Sequence, residues 1–180
     1  SNIVPVTLEL GGKSPQLVFA DADLEAALPF LVNAGIQNAG QTCSAASRIL
    51  VQRAVYDEVL ARMAAAYAAL RVGPALENLE VGPLISARQK EIVEGFMALA
   101  DPGRIVARGA IADGAPADGH YVAPALLAGL APDHRLARDE IFGPVQALIP
   151  FDDEDEATAI ANGTDYGLVA ALWSRDGARQ

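Results

Sequence analysis

The sequence predicts an α/β protein: a three-layer αβα sandwich around a mostly parallel sheet. Helical and strand-like segments alternate along nearly all of its 180 residues, the order expected of parallel strands joined by helices. Apolar residues make up 52% of the chain and charged residues 20%, which fits a globular protein that buries its own core. We therefore expect one domain or slightly more, without an internal repeat or a clear linker.

Seven segments have the apolar, β-rich composition of strands. They are residues 3–8, 16–20, 48–52, 104–108, 121–130, 145–151 and 168–173. Gly11 and Gly12 end the first segment, and residues 109–119 form a turn-like stretch rich in Gly, Ala, Asp and Pro. The last segment is continuously apolar, which predicts a strand covered on both faces.

Two helices with a 3.6-residue apolar period are predicted in the first half of the chain. The first begins at Asp21 or Asp23, either of which can serve as the N-cap, and runs to about Asn38. Gly40 can adopt the left-handed conformation that stops it. The second spans residues 56–70.

Two further helices are predicted from paired capping residues. Ser86 and Gln89 have capping-box spacing, as do Asp153 and Glu156, whose helix should run to about residue 162. The buried face of the helix that begins at Ser86 is expected to consist of Ile92, Val93, Phe96 and Met97.

Charge and composition exclude several classes of function. The net charge of −10 argues against nucleic acid as a partner, and no apolar run is long enough to cross a membrane. The single cysteine cannot form an internal disulfide, which is compatible with the cytoplasm. Residues 3–8 are predicted to form a strand without a preceding element, and residues 174–180 are predicted to be a strand end followed by the start of another helix. Both ends therefore look cut from a larger protein.

Cys43 is the first candidate for chemistry. It lies in Gly40-Gln41-Thr42-Cys43-Ser44, between a predicted helix and a predicted strand. The thiolate is a good nucleophile, nearby backbone N–H groups would favour it, and the small residues that follow leave it approachable. The alternative is a buried structural cysteine, since free cysteine is often merely packed.

Three further residues lie in two other distinctive segments. Glu9 precedes Gly11-Gly12 in an apolar strand, where a carboxylate would have a raised pKa suited to a general base; the alternative is a solvated acid at a strand end. Glu140 and Phe142 lie in Glu-Ile-Phe-Gly-Pro before a predicted strand. A carboxylate can accept hydrogen bonds from a ribose diol, and an aromatic ring can pack on a nicotinamide. The alternative is an exposed acid and a core phenylalanine.

A different class of enzyme, a cysteine hydrolase or acyltransferase, would need a histidine beside Cys43, and only His120 and His134 are available. Neither lies in a pattern with metal-ligand spacing, so no metal site is predicted and both are expected at the surface. A third possibility is a folded, non-catalytic fragment.

Together, the segments Leu8-Glu9-Leu10-Gly11-Gly12-Lys13, Gly40–Ser44 and Glu140-Ile141-Phe142-Gly143-Pro144 resemble the aldehyde dehydrogenase superfamily. The resemblance covers nearly the whole chain. It implies that residues 1–180 are a fragment of the catalytic domain. The nucleotide-binding domain and the C-terminal oligomerisation segment would be absent, and with them the family's oxyanion-hole asparagine and cofactor-binding lysine.

The resemblance also implies a chemistry. Cys43 would add to an aldehyde, and NAD or NADP would take the hydride. Glu9 would activate the water that hydrolyses the thioester, whereas Glu140 would bind the nicotinamide ribose and Phe142 would pack near the ring. Family members that pass the acyl group to coenzyme A usually lack this glutamate, so hydrolysis to the acid is expected. The full-length enzyme would be a cytoplasmic homodimer or homotetramer, and the fragment alone would be inactive.

Overall fold

A computed structural model describes residues 3–179, and its strands form one large sheet and one small one. The strands are β1 (Pro15–Val18), β2 (Arg48–Gln52), β3 (Arg71–Val72), β4 (Ile105–Arg108), β5 (Ala110–Ile111), β6 (Ala125–Ala128), β7 (Val145–Phe151) and β8 (Ala171–Trp173). The large sheet has the order β4-β6-β7-β2-β1-β8, and β3 pairs with β5 in the small one. All pairs are parallel except β4 with β6.

Helices lie on both faces of the large sheet, which confirms the predicted fold class. They are α1 (Leu24–Ile36), α2 (Arg53–Ala69), α3 (Ala87–Met97), α4 (Arg135–Arg138) and α5 (Glu154–Ala161). Helices α1 and α2 pack against one face, whereas α5 packs on the other against β2 and β7. Short 3-10 turns lie at Gln37–Gly40, Ala75–Glu77 and Pro102–Arg104.

The core divides into two clusters because strand side chains alternate between the two faces. In β2, Ile49 and Val51 enter the larger cluster beneath α1 and α2. Leu50 points the other way and joins a smaller cluster with Phe19 and Phe151 beneath α5. The centre of the sheet is therefore buried on both sides, and the loops at its strand ends remain to form a site.

Three predictions about the chain ends are wrong. Residues 3–8 form no strand: they are exposed and lie outside regular structure. Only Ala171–Trp173 of the segment 168–173 is a strand, and it lies partly exposed at the sheet edge rather than covered on both faces. Residues 174–179 form no helix, and Gln180 lies outside the described residues. An apolar run forms a strand only if a neighbouring strand pairs with it, and the sequence pattern cannot reveal that partner.

The predicted N-cap residues are correct, but the capping boxes predicted at Ser86 and Asp153 do not form. The side chains of Asp23, Ser86 and Asp153 accept hydrogen bonds from the first turns of α1, α3 and α5. Neither expected partner completes a capping box, because Glu156 accepts from the N–H of Asp152 and Gln89 bonds elsewhere.

Three boundaries and faces also differ from prediction. Helix α1 ends at Ile36, two residues early, and the predicted turn at 109–119 contains β5. On α3 only Val93 is buried, whereas Ile92 is exposed. Among the described residues, no helix is both long and apolar enough to cross a membrane.

Candidate active site

A run of left-handed residues follows α1 and directs the chain toward Cys43. Asn38, Ala39 and Gly40 have φ of 51°, 55° and 74°. A Cβ atom on Gly40 would overlap the backbone carbonyl of Gly143. Glycine is therefore required at Gly40, both for the left-handed conformation and for close packing on Gly143. This packing joins Gly40–Ser44, here called the cysteine segment, to the Glu-Ile-Phe-Gly-Pro segment.

Asn38 and Gln41 brace the start of the cysteine segment. The Asn38 amide donates to the Gln41 carbonyl at 2.9 Å, and the Gln41 amide donates back to the Asn38 carbonyl at 3.1 Å. The Gln41 side-chain oxygen also accepts from the N–H of Ile85 at 2.9 Å. This reciprocal pair was not predicted from the sequence, although two amide side chains around a glycine turn were a usable signal.

Cys43 lies in a turn and is partly exposed. The N–H of Ala45 donates to the Thr42 carbonyl at 3.0 Å, which places Cys43 at the second position of the turn. Within residues 3–179, the N–H of Cys43 has no hydrogen-bond partner, so this residue carries a free thiol and an unpaired backbone donor.

Gly12 is the point at which the three segments meet. Its N–H donates to Glu140 Oε1 at 2.9 Å. A Cβ atom on Gly12 would overlap the Cys43 carbonyl oxygen, so the two backbones are in direct contact. Cys43 and Glu140, which follow Gly12 by 31 and 128 positions in the chain, thus both contact this glycine.

Glu140 and Phe142 sit on a strained turn that α3 holds in place. Phe142 has a φ of 55°, which is unfavourable for a bulky residue and persists only when its surroundings impose it. The Gln89 side chain supplies the restraint, donating to the Phe142 carbonyl at 2.9 Å and to the Ile141 carbonyl at 3.3 Å. The Phe142 side chain remains exposed, and Glu140 Oε2 has no donor among the described residues. The alternative of an exposed acid and a core phenylalanine is therefore wrong: Glu140 is half-buried, and Phe142 is not in the core.

Glu9 is exposed, which contradicts the prediction of an apolar strand environment around its carboxyl group. The prediction relied on Thr7, Leu8 and Leu10, but Leu8 and Leu10 are themselves exposed. The short chain between Glu9 and Gly12 nevertheless limits how far Glu9 can lie from the candidate site. It precedes Gly12 by three residues, so the two Cα atoms are within about 11 Å of each other.

Lys13 and Arg48 form a buried cationic pair that the sequence analysis missed. Arg48 donates to the carbonyls of Lys13, Ile160 and Ala161 at 2.8, 2.7 and 2.7 Å, and so binds the C-terminal end of α5. Lys13 Nζ is buried and has no hydrogen-bond partner within residues 3–179. Burial and the nearby Arg48 charge lower the pKa of Lys13 to about 7, against the opposing effect of Asp139 and Glu140.

A cavity of about 260 Å³ lies beside this pair. Tyr166, Gly167 and Leu168 form its other wall, and they belong to the exposed segment that precedes β8. Lys13, which lines this cavity, directly follows Gly12 in the chain, so the cavity adjoins the segment that contacts Cys43 and Glu140.

No bond links either histidine to Cys43 among the described residues. His134 caps α4, its Nδ1 accepting from the N–H of Leu136 at 3.1 Å, and His120 is partly buried, so neither is simply a surface residue. Nothing in the geometry favours a Cys–His hydrolase. Residues 3–179 contain no cluster of three His, Cys, Asp or Glu side chains that could hold a metal ion.

Comparison with known proteins gives the family. The profile of the Aldehyde dehydrogenase family matches residues 1–180. The chain therefore belongs to the aldehyde dehydrogenase family. It is 38% identical over 178 residues to a betaine aldehyde dehydrogenase from Rhizobium leguminosarum bv. trifolii, covering 97% of this chain and 37% of that relative.

Solved structures are similar over the same extent. A protein from Burkholderia cenocepacia assigned as an aldehyde dehydrogenase is 59% identical with a TM-score of 0.95, covering 99% of this chain and 38% of that one. An aldehyde dehydrogenase from Mycobacterium tuberculosis, solved in complex with NAD+, is 41% identical with a TM-score of 0.90, covering 98% and 37%. The chain thus spans a little more than a third of the length of the proteins it matches.

Proposed function

We propose that the protein oxidises an aldehyde to a carboxylic acid with NAD or NADP, through a covalent intermediate on Cys43. The observation that carries this proposal is the meeting of three segments at Gly12. That glycine touches the backbone of the candidate nucleophile and binds the carboxylate of Glu140. Membership of the aldehyde dehydrogenase family supports the reaction class.

Cys43 begins the proposed reaction. Its thiolate adds to the aldehyde carbon, a C–S bond forms, and the carbonyl oxygen becomes the oxyanion of a thiohemiacetal. The N–H of Cys43, which has no partner among the described residues, can donate to that oxyanion. Loss of a hydride from the same carbon then leaves a thioester on Cys43.

Glu140 and Phe142 are the residues proposed to hold the nicotinamide end of NAD(P), which accepts the hydride when bound. The fit depends on two features: Glu140 Oε2 is free to accept a hydroxyl hydrogen bond, and the Phe142 ring is exposed. Gln89, by donating to the Phe142 carbonyl, would hold the turn that carries both groups.

Glu9 is proposed as the base that takes a proton from water. The resulting hydroxide would attack the thioester, the C–S bond would break, and the acid would leave with the thiolate restored. Two features support this role: Glu9 is only three residues from Gly12, which contacts the Cys43 backbone, and residues 3–10 are exposed, which leaves room for the carboxyl group to turn toward the thioester.

The remaining features of the whole protein are proposals as well. We infer that residues 1–180 are the catalytic portion of a longer polypeptide, with the nucleotide-binding domain and the oligomerisation segment outside them. A cytoplasmic homodimer or homotetramer is proposed. Betaine aldehyde is the first substrate to assay, because two of the relatives are betaine aldehyde dehydrogenases.

Replacing Cys43 with serine should lower NAD(P)-dependent acid formation by the complete polypeptide at least about 10³-fold, because removal of a covalent nucleophile leaves only binding and orientation. Steady-state production of NAD(P)H with betaine aldehyde and with a simple aliphatic aldehyde measures this. Ser44→Ala is the control, since it alters the adjacent side chain and keeps the thiol. Turnover by Cys43→Ser within tenfold of the unaltered rate would refute the proposed role.

A further inference from the structure

A buried amide, Gln146, lies in the core behind the cysteine segment. Gln146 is the second residue of β7 and is fully buried, as is Tyr67 on α2. Its Nε2 donates to the carbonyl of Leu31 at 2.9 Å and to the carbonyl of Ala46 at 2.6 Å. Its Oε1 accepts from the Tyr67 hydroxyl at 2.5 Å. One side chain thus joins α1, α2 and the segment that follows Cys43.

The orientation of this amide is fixed by its partners. Backbone carbonyls only accept hydrogen bonds, so the NH₂ group must face Leu31 and Ala46, and the oxygen must face Tyr67. The Tyr67 hydroxyl consequently donates. A Cβ atom at Gly35 would overlap the Gln146 side chain, so α1 carries glycine there although glycine costs about 1 kcal/mol within a helix.

Gln146 acts on the Cys43 turn through Ala46. The N–H of Ala46 donates to the Ala34 carbonyl at 3.2 Å, and its carbonyl accepts from Gln146. Both backbone groups of Ala46 are therefore held by the core. The turn that begins at Thr42 closes at Ala45, so Ala46 is the residue that directly follows the turn.

We propose that Gln146, oriented by Tyr67, is a positioning residue for acyl transfer at Cys43: by holding Ala46 it keeps the Cys43 thiol and the Cys43 N–H in the relation that the tetrahedral intermediate requires. This rests on the proposed function, because it assumes that Cys43 attacks a carbonyl group. An apolar side chain could fill this space, but it would leave the carbonyls of Leu31 and Ala46 without their donor, and Ala46 lies three residues after Cys43.

Two reactions of the Cys43 thiol distinguish the placement of the Cys43 N–H from the exposure of the thiol. Alkylation by iodoacetamide displaces iodide and forms no oxyanion. In acylation by p-nitrophenyl acetate, the thiolate attacks the carbonyl carbon, an oxyanion forms, and p-nitrophenolate leaves as the thioester is made. The ratio of the acylation rate to the alkylation rate therefore reports how well the backbone donor is placed, and it needs no cofactor.

Gln146→Met should lower this ratio by at least about tenfold, because loss of one oxyanion donor typically costs about 10²- to 10³-fold. Tyr67→Phe should lower it less, since the bond from Nε2 to Ala46 can survive the loss of the hydroxyl. It also provides a milder variant if Gln146→Met does not fold. Val59→Ala is the matched control: Val59 is equally buried on α2 and belongs to the larger core cluster. It should reduce stability and leave the ratio unchanged.

The outcomes distinguish the two proposals. If the unaltered protein is acylated, and the ratio in Gln146→Met and Tyr67→Phe equals that in Val59→Ala, the positioning role is wrong and the proposed function stands. If Cys43 of the unaltered protein is alkylated but never acylated, the proposed function fails and the positioning role fails with it.

Discussion

Replacing Gly12 with alanine is expected to destabilise the protein by about 1–3 kcal/mol or more, the usual cost of overpacking a filled space. The added methyl group would overlap the carbonyl oxygen of Cys43, which belongs to the backbone and cannot rotate away. Either the Cys43 turn or the Gly12 segment must move. Movement of either would also strain the bond from Gly12 N–H to Glu140, so the candidate site should open as stability falls.

Urea unfolding measures the stability change, and Gly167→Ala is its matched control. Gly167 has open space around the position of a Cβ atom, so alanine there should be neutral or slightly stabilising. Neither glycine has a positive φ, so the comparison isolates the steric contact. Equal unfolding free energies for the two variants would show that Gly12 does not touch the Cys43 backbone.

Replacing Lys13 with methionine is expected to stabilise the protein by a few kcal/mol near pH 6, and by progressively less as the pH rises. The pKa of Lys13 falls from 10.5 to about 7 on folding, and each unit corresponds to about 1.4 kcal/mol. Below pH 7 both states are protonated, and the folded state bears the full cost of the buried charge. Between pH 7 and 10.5 the unfolded state binds more protons, so the stability of the unaltered protein rises with pH.

Methionine keeps much of the lysine volume and removes the charge, so Lys13→Met should flatten that rise. Unfolding free energies at pH 6, 8 and 10 measure it. Lys90→Met removes the same charge from a partly exposed side chain on α3 and is the control. The prediction fails if Lys13→Met is less stable than the unaltered protein at pH 6, or if the gap between them widens with pH.

The elements defined by strong local signals were predicted well from sequence. Strand β2 has the predicted bounds, and so does β7, because both have an apolar, β-rich centre and are followed by a helix. Asp23 and Ser86 cap their helices as expected, and Gly40 is left-handed. At the helix caps and at Gly40, the residue type itself favours the observed local conformation.

The sequence was less informative where a distant partner decides the outcome. Residues 3–8 have strand composition, yet no strand pairs with them in the described chain, and they are exposed and lie outside regular structure. Gln89 has capping-box spacing, but its side chain bonds the strained turn at Phe142, 53 residues away in sequence. No local pattern contains that information.

In the candidate site, too, residues in short motifs were predicted from the sequence, whereas buried residues with distant partners were not. Cys43, Glu140 and Phe142 were identified from short segments, and two of those segments prove to touch through Gly12, which the motif alone could not show. The buried groups around them, Lys13 and Gln146, were missed. Each is an isolated polar residue in its segment, and its importance arises only from burial and from partners on other elements.

The most direct test of the central claim is the mass of the Cys43 peptide after the complete Glu9→Gln polypeptide is mixed with aldehyde and NAD(P)+. If Cys43 is the nucleophile and Glu9 the base for hydrolysis, the peptide should gain the mass of the acyl group and keep it while acid release stalls. An unmodified Cys43 in a variant that still produces acid at the unaltered rate would contradict the account.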